Sequence, residues 1–205
     1  MKTKVETNIV LPRIDIRKLD ITIIGDSSLI CHAWSDKAKK EMRDKQMKKA
    51  VPAKQAKDPE RDFFESLYHM EGGGYGFPAV ALKAAAVSAC RAVENLTMVQ
   101  ARSGFHIDAE FVPIEGCLPT MREDMVRIGM GTADIRYRGE FKNWFMHFVV
   151  RFNANMFSEE QIINLFETAG FGVGIGEWRP ERNGNHGLFH VRKSDEKLPV
   201  GDLLI

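Results

Sequence analysis

The segment GFGVGIGEWRPER, which ends at Arg182, combines three residue types that suit a ligand made of bases and phosphates. Gly174 and Gly176 lack a Cβ, so backbone there can approach a ligand closely. Trp178 offers a ring for base stacking, a contact worth roughly 1–3 kcal/mol. Arg179 and Arg182 can pair with phosphate through their forked donors. The alternative is that the glycines only turn the chain into a last strand while Trp178 covers the core.

A second group of cations lies in residues 36–57, which hold nine Lys or Arg against three acids in a chain whose net charge is +1. The rest of the chain is therefore slightly acidic, and this segment is a candidate phosphate-facing arm. The alternative is a solvated helix face. The cations that we expect to contact nucleic acid are Lys37, Lys40, Arg43, Lys48 and Lys49, with Lys83 from a later helix.

Catalytic and cofactor signatures are absent from the sequence. There is no helical HxxxH, CxxC pair, carboxylate cluster, GxSxG or Walker motif, and GFGVGIG follows a helix where a dinucleotide fingerprint would follow a strand. We therefore expect no metal and no cofactor. His32, just after the first strand, is the one candidate for a catalytic histidine, and a packed or hydrogen-bonded histidine is the simpler explanation.

Length and composition indicate an ordinary globular domain. The chain has 205 residues, 44% hydrophobic and 28% charged, with no apolar run long enough for a membrane span. Three widely spaced cysteines and the lack of a signal-peptide pattern favour a reducing compartment. We expect a single-domain cytoplasmic protein with no membrane partner.

Hydrophobic periodicity predicts the elements that position these residues. Residues 14–24 alternate as a strand, with a phase break at Lys18–Leu19 that indicates a bulge. One helix begins after Ser35 and ends at Pro52, and a second runs from Pro78 to about Glu94.

The second half of the chain carries mostly strand signals. Residues 98–116 predict a hairpin or irregular strands, and residues 125–139 and 143–154 predict two strands joined by a turn near Gly139. The core face of the second strand is predicted to hold Trp144, Met146, Phe148, Val150 and Phe152. A helix with a capping box begins after Ser158 and ends at Gly170, and LFHV forms the last strand.

Taken in order, these elements predict an α+β fold with the βαββαβ core of ferredoxin-like and RRM-like domains. Residues 1–205 form one domain, with a basic helical insertion at 35–75 and a C-terminal tail at 192–205. Two helices on one face of four strands leave the opposite sheet face free to bind.

Two segments, GFPAVALKAAAVSACR and GFGVGIGEWRPERNGNHGLFHV, the latter preceded by SEEQIINLFETA, resemble the RAMP superfamily of CRISPR-associated proteins. The resemblance is strongest to the backbone subunits that polymerise along guide RNA. It implies an RRM-like fold and RNA binding by a homo-oligomer. Two features depart from the family: Ala84 stands where glycine often follows the lysine, and the insertion at 35–75 is short. These departures favour a solitary relative that acts outside any CRISPR complex. The chain also resembles phage-encoded proteins, which would place it in the host cytoplasm.

Three functions remain open at this point. The favoured one is a non-catalytic protein that coats single-stranded RNA or DNA as an oligomer. The second is a metal-independent endoribonuclease that uses His32. The third is a phage interaction protein that mimics or blocks a CRISPR backbone subunit.

Overall fold

The fold is described by a computed structural model that covers residues 12–49, 56–129 and 131–199. Its strands are β1 (Ile16–Gly25), β2 (Leu29–Cys31), β3 (Gly76–Pro78), β4 (Phe105–Ile107), β5 (Phe111–Pro113), β6 (Glu115–Gly116), β7 (Thr120–Ile128), β8 (Thr132–Phe141), β9 (Trp144–Asn153) and β10 (Phe189–Val191). Its helices are α1 (Asp36–Gln46), α2 (Pro59–Glu65), α3 (Ala79–Ala89), α4 (Met98–Gly104) and α5 (Glu159–Gly172).

The core sheet has the strand order β10-β1-β9-β4, with every pair antiparallel and β6 added beside β9. With α3 following β1 and α5 following β9, this is the βαββαβ arrangement of a ferredoxin-like domain. The predicted α+β fold is confirmed. Helices α3 and α5 pack against each other and against the same face of the sheet.

Strand β9 shows why the sequence specifies this core. Trp144, Met146, Phe148, Val150 and Phe152 alternate with partly or fully exposed residues, and all five are buried. Because successive side chains of a strand point to opposite faces, this period-two pattern fixes which face carries the helices. The predicted core face of β9 is confirmed.

The bulge predicted in β1 is wrong. Residues Ile16 to Ile24 pair with Asn153 to Phe145 in one unbroken register. The change of phase arises because Ile16 lies on the open face of the sheet, where it is 54% exposed, while Leu19, Ile21 and Ile23 face the helices. An apolar residue on the solvent side, and not an inserted residue, disturbs the alternation.

A second, three-stranded sheet has the order β2-β8-β7 and extends the molecule beyond the core. The single strand predicted at 125–139 is in fact part of a hairpin, in which Ile128 pairs with Thr132 across the turn. Gly139, predicted as a turn, lies inside β8 opposite Met121. A Cβ at Gly139 would fall 2.1 Å from Leu67, so this glycine allows close packing of the α2 end.

Helix boundaries also differ from the predictions. Helix α1 ends at Gln46, and Pro52 lies outside the described residues. Helix α3 ends at Ala89 and continues only as a 3-10 turn, short of Glu94. The segment predicted as strands from residue 97 begins with α4, whose capping box joins Thr97 and Gln100. Helix α5 has the predicted Ser158–Gln161 capping box but runs two residues past Gly170, to Gly172.

The open face of the core sheet is exposed but poor in aromatic rings. Strands β1 and β9 present Lys18, Thr22, His147 and Arg151 there, with Phe145 as the single Phe, Tyr or Trp of these two strands on that face. RRM domains bind RNA by stacking bases on several aromatic side chains of this surface. The RRM-like topology therefore does not bring an RRM-like stacking surface with it.

Candidate nucleic-acid interface

A groove of about 760 Å³ lies between α3 and the segment that follows α5. One wall is the small-residue face of α3, and the other is the glycine-rich segment from Val173 to Glu181. The polar and charged side chains that line it are His32, Tyr68, Lys83, Ser88, Arg102, Glu177, Arg179 and Glu181. The alanine side chains along α3 are small, so this wall leaves room for a ligand.

The glycine-rich segment is held to the protein by its own backbone. Ile175 N–H donates to Gly187 O at 2.9 Å, and Glu177 N–H donates to Ile30 O at 3.0 Å. Gly174 and Gly176 have φ angles of +68° and +77°, a region that favours glycine. A Cβ on Gly176 would lie 2.5 Å from Ile30 O, so protein packing alone accounts for this glycine. Its contact with nucleic acid stays a prediction.

Arg179 is engaged by its own segment. Its Nε and Nη2 donate to Glu181 Oε2 at 3.2 and 3.0 Å, and Nη1 donates to Gly176 O at 3.1 Å. A hydrogen bond from Ser88 and the nearby Arg179 hold the pKa of Glu181 below its ordinary value. Arg179 therefore braces the groove wall against α3 through Glu181, and a phosphate would have to share its guanidinium with this carboxylate.

Three side chains within or next to this segment in the sequence are exposed to solvent. Trp178 is 41% exposed and its backbone is fixed, since its carbonyl accepts a hydrogen bond from His186 N–H. Arg182 is exposed and forms no ion pair with a described residue. Phe171, a further exposed ring that was not predicted, is 85% exposed. It lies nine positions after Ile162, and at 100° per residue this places it opposite the buried stripe, so periodicity contained the signal.

Lys83 lines the groove but its ammonium already has partners. Nζ donates to Arg102 O at 2.9 Å and to His106 Nδ1 at 3.1 Å. Partial burial lowers the pKa of Lys83, and burial together with the charges of Lys83 and Arg151 lowers the pKa of His106. Arg102, which sequence reasoning did not single out, adds a second cation at this end of the groove.

His32 also lines the groove, with its Nδ1 3.7 Å from Glu177 Oε1. Contact with His32 and the charge of Arg138 lower the pKa of Glu177. Arg138 is almost fully buried, and its Nη1 donates to Asp124 Oδ2 at 3.2 Å. This chain of charges ties the glycine-rich segment beside His32 to the second sheet.

Helix α1 begins four residues after His32, within about 14 Å at full extension. Ser35 caps it as predicted, through a bond to Ala38 N–H, and none of its residues is buried. Lys39 pairs with Asp36, and Lys49 beyond the helix pairs with Asp44. The cations of this segment with no ion pair to a described residue are Lys37, Lys40, Arg43, Lys45 and Lys48.

The predicted residues thus fall into two adjoining groups. Lys83, Gly174, Gly176 and Arg179 line one groove, with Trp178 and Arg182 beside Arg179 in the same segment. The second group is the α1 arm, defined as residues 36–49, which holds the predicted Lys37, Lys40, Arg43, Lys48 and Lys49. Lys54, part of the basic segment, lies outside the described residues.

Two classes of feature are not found in the part of the chain that the structure describes. No group of three or more His, Cys, Asp or Glu side chains there is arranged to hold a metal ion. Within the same residues, no helix combines the length and the apolar character needed to cross a membrane.

Comparison with solved structures gives a distant likeness. No family model matches the chain, and no curated protein matches it. Among solved structures, Cmr6 from Pyrococcus furiosus is similar, with a TM-score of 0.42 and 8% sequence identity. The match covers 88% of this chain and 100% of the Cmr6 chain. Membership of the RAMP superfamily stays a prediction from the sequence motifs.

Proposed function

We propose that this protein is a non-catalytic binder of single-stranded nucleic acid. The strand follows the α1 arm and enters the groove between α3 and the glycine-rich segment. The observation that carries the proposal is the row of cations on the α1 arm that have no ion pair to a described residue, because this arm begins four residues after His32, which lines the groove. Phosphate contacts of this kind give affinity without sequence preference.

The groove has surfaces that can contact bases, and the α1 arm has cations that can contact phosphates. Trp178 is an exposed ring beside Arg179, which suits stacking with cation support. The apolar α3 wall suits the faces of unpaired bases. A duplex buries its bases inside, so it would leave both Trp178 and this wall unused. Single strands are therefore the favoured ligand.

Fluorescence anisotropy with labelled 20-nucleotide RNA, DNA and duplex at several salt concentrations tests the proposal. We expect single strands to bind better than duplex, with affinity falling steeply as salt rises because each neutralised phosphate releases counterions. Arg182→Ala should reduce the slope of log K against log[salt] by about 0.7, the value per phosphate contact on a single strand.

Lys142→Ala with Lys197→Ala is the matched control, since both lysines are exposed and lie outside the groove and the α1 arm. Their removal should leave the slope nearly unchanged. Affinity that does not depend on salt, or a clear preference for duplex, would contradict the proposal. Failure to bind combined with co-purification with a CRISPR complex would favour the interaction-protein hypothesis.

A metal-independent endoribonuclease remains a second candidate because His32 lines the same groove as Lys83 and Arg179. A histidine beside cations could move a proton during RNA cleavage. Incubation of labelled RNA with EDTA separates the two functions. Cleavage that disappears in His32→Ala, while binding persists, would establish the enzyme; intact RNA favours the binder.

A further inference from the structure

The outer edge of β7 is a long strand edge without a partner in the part of the chain that the structure describes. β7 is hydrogen-bonded to β8 along one edge, over nine residue pairs from Thr120 to Ile128. No described segment forms backbone hydrogen bonds along the other edge. Such an edge presents a row of free N–H and C=O groups and is a template for pairing with another chain.

One face of β7 alternates apolar and charged side chains in a pattern that suits self-pairing. Met121, Glu123, Met125 and Arg127 share this face and are all exposed, with Met125 at 67%. Neither Glu123 nor Arg127 forms an ion pair with a described residue. Two exposed methionines alternate with two opposite charges that have no ion pair to a described residue, so both apolar and ionic contacts are available to a partner.

The opposite face of β7 is already occupied by intramolecular ion pairs. Arg122 Nε donates to Asp124 Oδ1 at 2.8 Å, and Arg122 Nη1 to Glu140 Oε1 at 3.2 Å. Asp124 is buried and also accepts from Arg138. The face of β7 that holds Met121, Glu123, Met125 and Arg127 is therefore the one available to a partner.

Backbone geometry restricts how β7 can pair with itself. Along a strand, the outward N–H and C=O groups recur every second residue. Two copies of one edge can therefore pair antiparallel only with a residue of β7 on the twofold axis. Arg122, Glu123 or Asp124 on the axis would oppose a like charge in the other copy, which destabilises a sheet. Val126 on the axis would place Arg127 against Met125.

Met125 on the axis gives a complementary register. Met125 then faces Met125 of the second copy, and Glu123 faces Arg127 on both sides of it. Directly opposed residues have Cβ atoms about 4.5–5.5 Å apart, close enough for both ion pairs. We propose that two copies of this chain pair through the outer edges of β7, centred on Met125, to form a six-stranded sheet. This interface is independent of nucleic-acid binding.

Charge reversal on nucleic-acid-free protein tests the proposal by size-exclusion chromatography with light scattering. The wild type should show a mass twice the 23.2 kDa of one chain over a concentration series. Glu123→Arg or Arg127→Glu alone would oppose like charges twice and should weaken the dimer about tenfold. The double variant Glu123→Arg/Arg127→Glu restores opposite charges and should restore the dimer.

Cross-linking tests the register separately. In a Cys117→Ser background, Met125→Cys should form a disulfide-linked dimer on oxidation, since the two thiols face each other across the axis. Met121→Cys is the matched control, because Met121 would face Gly129 of the second copy and should cross-link little. Cys31 and Cys90 are buried and should not react.

The proposal is overturned by any of three results: a wild type that is monomeric at every concentration, single charge reversals that leave the dimer unchanged, or equal cross-linking of the two cysteine variants. Thermal unfolding of each variant confirms that the fold is intact, as expected for exposed side chains outside the core.

Discussion

At the scale of single residues, Gly176 has the clearest predicted cost of substitution. Its φ of +77° costs a residue with a Cβ roughly 1–2 kcal/mol, and that Cβ would lie 2.5 Å from Ile30 O. We expect Gly176→Ala to lower the free energy of unfolding by about 2 kcal/mol or more, a fall in Tm of roughly 4–8 °C for a chain of this size. Thermal unfolding by circular dichroism measures it.

Gly172 is the matched control for Gly176. It ends α5 without a left-handed φ, and a Cβ there would meet nothing. Gly172→Ala should leave Tm unchanged or raise it slightly, because alanine is the better helix former. If Gly176→Ala instead keeps its Tm and loses only nucleic-acid binding, the glycine serves ligand approach and not the turn.

At the scale of elements, the α1 arm should contribute to nucleic-acid affinity but not to the free energy of unfolding. Lys40 and Arg43 lie one turn apart, have no ion pair to a described residue and belong to a helix with no buried residue. Lys40→Gln/Arg43→Gln should therefore lower the anisotropy salt slope by about 1.4, at 0.7 per contact, and leave Tm unchanged.

Lys39→Gln/Lys49→Gln is the control for the arm, since both lysines are neutralised by Asp36 and Asp44. Their loss should change the slope by less. Equal effects of the two double variants would mean that only the total charge of the chain matters. That result would argue against a defined path of the strand along α1.

Elements whose partners are near in sequence, or whose pattern is strictly periodic, could be predicted. The buried face of β9 and the capping box at Ser158 are local signals, and both were confirmed. The β7–β8 hairpin was missed because its turn, with Gly129 and Gly131, interrupts a run of strand-forming residues that otherwise continues. The residues of this turn are neighbours in the sequence, but they include no polar cluster of the kind that predicts a loop.

The groove could be predicted only in part. The segment with Arg179 and Trp178 was identified from residue types, whereas Lys83 was predicted only as one of several cations that contact nucleic acid. The contacts His32–Glu177 and Arg179–Glu181–Ser88 depend on tertiary packing. No sequence pattern could show that Arg179 is braced by a carboxylate before any phosphate arrives.

At the scale of the whole molecule, a dimer through β7 that binds single strands should show avidity. A dimer through β7 carries two α1 arms and two grooves on one particle. Linked sites gain effective concentration only on a strand that is long enough to reach both, and the gain can be 10²-fold or more. The affinity for a short nucleic acid therefore measures binding to one site, while the affinity for a long one measures binding to both sites of the dimer.

At a protein concentration at which the wild type is dimeric and Glu123→Arg is not, we therefore expect Glu123→Arg to bind a 10-nucleotide RNA as tightly as the wild type does, because β7 lies outside the groove and the α1 arm. On poly(U) of several hundred nucleotides the same variant should bind at least tenfold more weakly. Glu123→Arg/Arg127→Glu, which restores the dimer, should recover the long-strand affinity and so excludes a direct effect of charge at position 123. Equal affinity of all three proteins for poly(U) would show that the dimer, if formed, does not place both sites on one strand. Weaker binding of Glu123→Arg to the short RNA would instead place part of the nucleic-acid interface on the hairpin itself.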